Sequence, residues 1–403
     1  MGIKILNLGI GMLLAGVLSA QTNNIDTTNQ PLNSAQNVLN NSSGKKFTIG
    51  GYGEIHYNQG FNDTSSTNGK LDVHRMVLFL GYKFNNRVDF VTEVEFEHVK
   101  EVYVEQAFMN YRINQAFNLK AGLMLIPMGI QNEYHEPTTF NGVERTSIDG
   151  NIVPSTWREI GIGFSGNLDN LSLKYQAYLV NGFLGYDGGG KFKGSNAFRS
   201  GRQKGAESTI SSPNLSAKVD FYGINGLKIG LAGYVGNSQS TLYDGLMNND
   251  TTGLAEQADS SVVGMAMVGI DLRYTYRAFE ARAQVISTAV TNTKEYNTFT
   301  GKDLGASMLG YYGEVGYDII SLFKKEATER LVCFGRYEFW DTHASVTSET
   351  LKNASYNRSA ITTGFSYHVA KGAVFKADYQ LFKNDAEENA SSSQFNMGVG
   401  VWF

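Results

Sequence analysis

The side chains with chemistry to offer in this chain are charged ones that recur at every second position. Lys120, Lys174, Lys218, Arg273, Arg282, Arg336 and Lys376 each stand in a segment that alternates polar and apolar residues. Arg75, Lys83, Lys228 and Arg358 belong to the same rows. So do Glu54, Asp89, Glu93, Glu95, Glu97, Asp220, Asp271, Glu280, Glu314, Asp318, Glu338 and Asp378. A strand points successive side chains to opposite faces, so these charges share one face of their strands. Charges of both signs on a common wall select small ions and polar solutes by charge and size. Neighbouring opposite charges also pair across strands.

Two long polar stretches add to this set. Residues 127–156 carry Glu133, Glu136, Glu144 and Asp149 against Arg145, with His135 among them and Arg158 just beyond. A connection of that length inside a compact fold is usually functional, and this one is expected to fold inward as a constriction. Residues 182–212 hold Lys191, Lys193, Arg199, Arg202 and Lys204 against Asp187 and Glu207. Such a basic cluster gathers anions, either solutes at a pore mouth or the phosphates of lipopolysaccharide.

Other chemistries find little support. His56, His74, His98, His135, His343 and His368 show no spacing that compels a nucleophile and base, so no catalytic residue is assigned. Glu93, Glu95 and Glu97 would share a strand face, but at about 7 Å spacing. Arg75 and Lys83 on the preceding strand can neutralise them, so no metal site or cofactor is assigned. The single Cys333 excludes an internal disulfide framework and a Cys-rich zinc site. A formal net charge of −4 is too small to imply a nucleic-acid partner.

The elements that must position these charges are strands. Residues 395–403 read F-N-M-G-V-G-V-W-F, with Phe395, Met397, Val399, Val401 and Phe403 on one face. The same alternation recurs from Lys46 onward in roughly sixteen segments. One segment, 102–113, has no fixed parity, although Ala107, Met109, Tyr111 and Ile113 are placed outward. No helical segment or second sheet is available to cover so many apolar strand faces. The economical arrangement is inverted, with apolar faces toward lipid and charged faces toward water. The chain's 45 Gly, 22 Tyr and 24 Phe, with only 5 Pro, suit such a structure and its aromatic girdles.

The connectors alternate in length. The short set is 85–86, 114–116, 167–170, 223–226, 277–278, 320–328 and 370–372. The long set is 58–69, 99–101, 127–156, 182–212, 237–261, 292–305, 342–356 and 384–392; only 99–101 is short and only 320–328 long for its class. Short turns at one end and long loops at the other are the layout of an outer-membrane barrel. A closed barrel is also the only way strands cross a bilayer with every backbone group paired. The fold class is therefore an all-β transmembrane antiparallel barrel of about 16 strands, wide enough for a channel.

The start of the chain completes the organisation. Lys4, the apolar run Ile5 to Leu18, and small Ser19 and Ala20 read as a signal peptide over 1–20. Residues 21–45 are rich in Asn, Ser, Thr and Gln and read as a flexible periplasmic leader. Residues 46–403 are the barrel, placed in a bacterial outer membrane among its lipid and lipopolysaccharide.

Two stretches carry a family resemblance. YVEQAFMNYRINQAFNLKAGLMLIPMGIQNE (103–133) is strand, turn, strand, then Pro127 and Gly129 opening the long connection. VERTSIDGNIVPSTWREIGIGFSG (143–166) closes it. Both resemble the phosphate-selective porin O and P family, in its Bacteroidota-type members. The resemblance implies a sixteen-stranded porin, usually a homotrimer, that passes small anions along a lumen lined by Arg and Lys. Arg145 and Arg158 fall in the matching segment as pore residues. The implied cationic excess is not matched here, since the inward acids are as numerous as the bases. The expected function is passive diffusion of small hydrophilic solutes, inorganic anions such as phosphate among them. An enzymatic or adhesive barrel is the alternative.

Overall fold

The computed structural model describes residues 35, 46–61, 67–247, 250, 252–324, 327–386 and 391–403. The signal peptide and leader read from the sequence lie outside the described residues, apart from Ala35.

Among the described residues, alternation along the chain becomes eighteen strands. They are β1 (Phe47–Phe61), β2 (Lys70–Lys83), β3 (Val88–Glu97), β4 (Glu101–Asn114), β5 (Phe117–Leu125) and β6 (Arg158–Leu168). Next come β7 (Leu173–Val180), β8 (Leu184–Tyr186), β9 (Asn214–Ile224), β10 (Leu227–Asn237), β11 (Gln239–Ser240) and β12 (Gly264–Tyr276). The last are β13 (Phe279–Thr291), β14 (Ser307–Asp318), β15 (Arg330–Ser345), β16 (Asn357–Ala370), β17 (Ala373–Asn384) and β18 (Ser391–Trp402). Sixteen of these close into one antiparallel barrel, while β8 and β11 form a small parallel pair apart from it. Short α-helices, α1 (Ile148–Asn151), α2 (Leu254–Ser260) and α3 (Thr293–Thr300), sit in the connections between strands.

The chain's final residues close the wall. β18 pairs with β1 from Tyr52↔Trp402 to Phe61↔Ser393. Gly51 and Phe403 exchange both backbone hydrogen bonds, at 3.0 and 2.9 Å, so no free strand edge remains there. Met397, Val399, Val401 and Phe403 point outward, and Asn396 is fully buried on the inner side. The same division holds around the barrel, with Ile49, Leu231, Ile270, Val315 and Ile361 exposed outside.

Two irregularities break the parity. In β4 the register passes from Glu93↔Gln106 to Val94↔Val104, leaving Glu105 unpaired as a bulge. Val102 and Val104 therefore point outward along with Met109 and Tyr111, while Glu105 and Gln106 both point in. This is why the sequence pattern of that strand fits neither phase. In β2 the register passes from Glu54↔Arg75 to Ile55↔Val73, so His74 is the extra residue.

Apart from 98–100 and 319–329, long and short connections fall at opposite ends. The long-loop end carries 62–69, 98–100, 126–157, 181–213, 238–263, 292–306, 346–356 and 385–390. The connection 181–213 is folded on an aromatic cluster rather than loose. Phe183 stacks on Trp157 at 4.6 Å and on Phe198 at 5.5 Å, and Phe192 meets Tyr296 of α3 at 5.7 Å.

Candidate functional site

The connection 126–157 enters the barrel and crosses its interior. Its contacts touch the wall on many strands. Ile130 N–H donates to Gln284 Oε1 of β13 at 2.6 Å. Glu133 accepts from Gln176 of β7 at 2.6 Å and from Lys218 of β9 at 2.8 Å. The Arg273 guanidinium of β12 lies over the Tyr134 ring at 4.1 Å. Asn141 donates to Glu280 of β13 at 2.6 Å and to Glu314 of β14 at 3.0 Å. Lys376 of β17 donates to Gly142 O at 2.9 Å and lies over the Phe140 ring at 3.8 Å. Val143 N–H donates to Asp378 of β17, and Ser147 N–H to Glu338 of β15, both at 2.6 Å. Glu144 accepts from Asn58 of β1 at 2.8 Å.

These partners explain the charges on the inner face. Arg282 lies 3.4 Å from Glu314, and Arg336 lies 3.4 Å from Glu314 and 2.7 Å from Glu338. Arg282↔Glu314 and Glu314↔Arg336 are direct cross-strand neighbours, so register alone brings them together. Lys174, Lys218, Arg336 and Lys376 stand on the wall but are covered by the connection, each 5% exposed or less. Lys120 sits beside Tyr178 Oη at 3.4 Å.

A second cluster forms where the connection meets β3 and β4. His135 Nε2 lies 3.3 Å from Glu93 and 3.5 Å from Glu105. Arg158 Nη1 is 3.7 Å from Glu105. Burial alone would lower the His135 pKa, but the hydrogen bond and charge of Glu93, with the charge of Glu105, raise it to about 10. Its neighbour Glu136 is pushed up to about 7, chiefly by burial. Glu105 was not singled out in the sequence, because its bulge hides it from the alternation.

Between the connection and the β1–β3 wall a cavity of about 370 Å³ remains. Its charged lining is Arg75, Arg145 and Arg199 against Glu54, Glu95, Glu97, Glu144 and Asp149, with His56 and His74. Arg199 comes from the 181–213 connection and donates to Gly150 O at 3.4 Å and Ser155 Oγ at 3.3 Å. Behind it, Arg202 is lowered to about 9, by burial first and then by the charges of Arg199 and Arg158. Lys204 is lowered in the same direction, by burial and then by Arg202 and Arg158. Burial is the main cause of both shifts and Glu97 acts against it in both, so the charge of these cations is partly compensated.

The acids and bases read from the sequence that line this cavity are Arg75, Arg145, Arg199, Glu54, Glu95, Glu97, Glu144 and Asp149. Glu133 and Glu136 are buried elsewhere along the connection, and Arg158 is buried at the start of β6.

No protein-family model matches the chain. Over 350 residues it is 35% identical to an uncharacterized protein of Aquifex aeolicus (strain VF5), covering 83% of this chain and 75% of the relative. The chain belongs to one family with that protein. Among solved structures it resembles the outer-membrane channel DcaP of Acinetobacter baumannii, with a TM-score of 0.57 and 13% identity over 89% of this chain and 97% of that one. It also resembles the anion-selective porin from Comamonas acidovorans, with a TM-score of 0.54 and 11% identity over 89% and 99% of the two chains. At these identities the likeness is one of fold, and that fold is the sixteen-stranded barrel of outer-membrane porins.

Proposed function

We propose that this protein is an outer-membrane porin through which small hydrophilic solutes diffuse passively. The observation that carries this reading is a closed barrel, apolar outside and charged within, whose interior is narrowed by the 126–157 connection to a charged cavity. Solutes pass along the β1–β3 wall, between Arg75 and the Arg145 and Glu144 side of the connection. The long-loop end faces the exterior. Residues 1–20 direct export, residues 21–45 are a periplasmic leader, and the assembly is a homotrimer, as the family resemblance implies.

A specific observation favours small anions among the solutes. Arg199 and Arg145 both line the cavity, with Arg202 and Lys204 behind them. Inorganic phosphate is the solute that the resemblance names. Against this, three arginines in the cavity face five carboxyl groups, so the preference is mild. The reversal potential of the reconstituted protein in a KCl gradient, with and without phosphate, tests it. A small anion-directed potential with phosphate block is expected, and a cation-directed potential would overturn the anion preference.

A further inference from the structure

We propose that the rim of the barrel holds a binding site for a divalent first-row transition-metal ion, made by Asp72, His74 and His98. The three residues come together through strand register. Arg75 pairs with Glu97, which sets residue 74 against residue 98, and His98 N–H donates to His74 O at 3.3 Å. The bulge in β2 adds His74 to the row that already holds Asp72. The connection 98–100, unusually short for the long-loop end, keeps His98 at the rim, with a positive φ of 52°.

His98 Nδ1 lies 2.6 Å and His74 Nδ1 3.5 Å from Asp72 Oδ2, and one ligand atom from each residue falls within 4.8 Å of the others. Ligand atoms about 2.0–2.1 Å from a tetrahedral zinc are about 3.3 Å apart, so small side-chain movements close the set around an ion. Two imidazoles and one carboxylate suit Zn²⁺, Ni²⁺ or Cu²⁺ and disfavour Mg²⁺ or Ca²⁺. The His74 ring is fixed from behind. His56 stacks on it at 4.5 Å with 11° between the planes, and His56 is itself held by Glu54 at 3.2 Å and Glu144 at 3.4 Å. That stacking restricts rotation of the His74 ring.

The site is reachable. The Asp72, His74 and His98 side chains are 31%, 31% and 46% exposed. His74 and Glu97 also line the cavity, and Glu97 Oε1 lies 3.9 Å from His98 Nε2. An ion held by the three protein ligands keeps its remaining position toward the solute path. The buried trio Glu93, Glu105 and His135 also converges, but Arg158 beside Glu105 already supplies its positive charge.

The test is calorimetric titration of untagged, detergent-folded barrel with ZnCl₂, with MgCl₂ as control. One saturable equivalent of Zn²⁺ and no saturable Mg²⁺ binding are expected. The His74→Gln/His98→Gln double variant and, separately, Asp72→Asn should each weaken Zn²⁺ by roughly tenfold or more. His135→Gln should leave it unchanged. Heat-modifiable migration on gels confirms that each variant is folded, and Asp72→Asn serves if the double variant is not. Absent saturable binding, binding unchanged in the rim variants, or loss in His135→Gln would overturn the proposal. The titration does not depend on conductance, so its failure is distinct from failure of the porin reading.

Discussion

Glu133 and Lys218 are 85 residues apart in sequence, yet the Lys218 ammonium donates to the Glu133 carboxylate at 2.8 Å in the interior of the barrel. That contact ties the inward connection to β9. Lys218 also lies 2.8 Å from Asp271 and 3.8 Å from Asp220, and its side chain is fully buried. One ammonium therefore contacts three carboxylates, of which Asp220 also has Arg273 at 3.9 Å.

Removing that cation leaves the acids buried without it. Breaking a buried pair from one side costs about 3–5 kcal/mol, because the remaining charge has lost its partner and cannot reach water. Lys218→Met is expected to destabilise the folded barrel by that amount in urea unfolding in detergent. Arg330→Met breaks a pair with Glu280 on the half-exposed Arg330 side chain and should cost about 1 kcal/mol or less.

The docking of the connection depends on pH through His135 and Glu136. The groups facing His135 are Glu93 on β3, Glu105 on β4 and the Tyr52 ring on β1 at 5.8 Å. The pKa of His135 rises from its ordinary 6.5 to about 10, so its contribution is full below 6.5 and is lost as pH climbs to 10. Glu136 rises from 4.5 to about 7, so its contribution is full below 4.5 and gone above 7. Both have the same sign. Amide exchange in residues 130–150, corrected for intrinsic rate, should be more protected at pH 6 than at pH 9.5. Equal protection at both values would contradict this.

Gly400 leaves room for the connection. A Cβ there would lie 2.5 Å from Pro137 Cβ, and one at Gly398 would lie 3.0 Å from a Val143 methyl. Gly400→Val keeps a residue that suits a strand but overpacks this contact, at a cost of about 1–3 kcal/mol. The expected result is an intact barrel with a displaced connection and a larger, noisier single-channel current.

The wall of this molecule was legible in the sequence because a strand's side chains repeat every second residue. The closing run from Phe395 to Phe403, the inward rows around Arg282 and Arg336, and the alternation of loop lengths all follow from that period. Bulges were not legible. Glu105 and His74 are extra residues in their strands, and one extra residue shifts every later side chain to the other face. The inward path of 126–157 was readable from its length and charges. Its partners were not, since pairs such as Glu133 with Lys218 depend on where a loop comes to rest. The two glycines of β18 alternate with its outward row, and the packing of Pro137 and Val143 gives their reason. Asp72, His74 and His98 escaped notice because hairpin register, not sequence spacing, assembles them.

Gly150 lines the cavity, and a Cβ added there meets nothing within 4 Å, so a cysteine fits without moving its neighbours. The native Cys333 is exposed and is first replaced by Ala. The measurement is single-channel current through the Cys333→Ala/Gly150→Cys protein before and after a charged thiosulfonate reagent. A conducting channel whose current falls on modification, with opposite shifts in ion preference for positive and negative reagents, is the predicted result. No channel, or a current unaffected by complete modification, would contradict a solute path through this cavity.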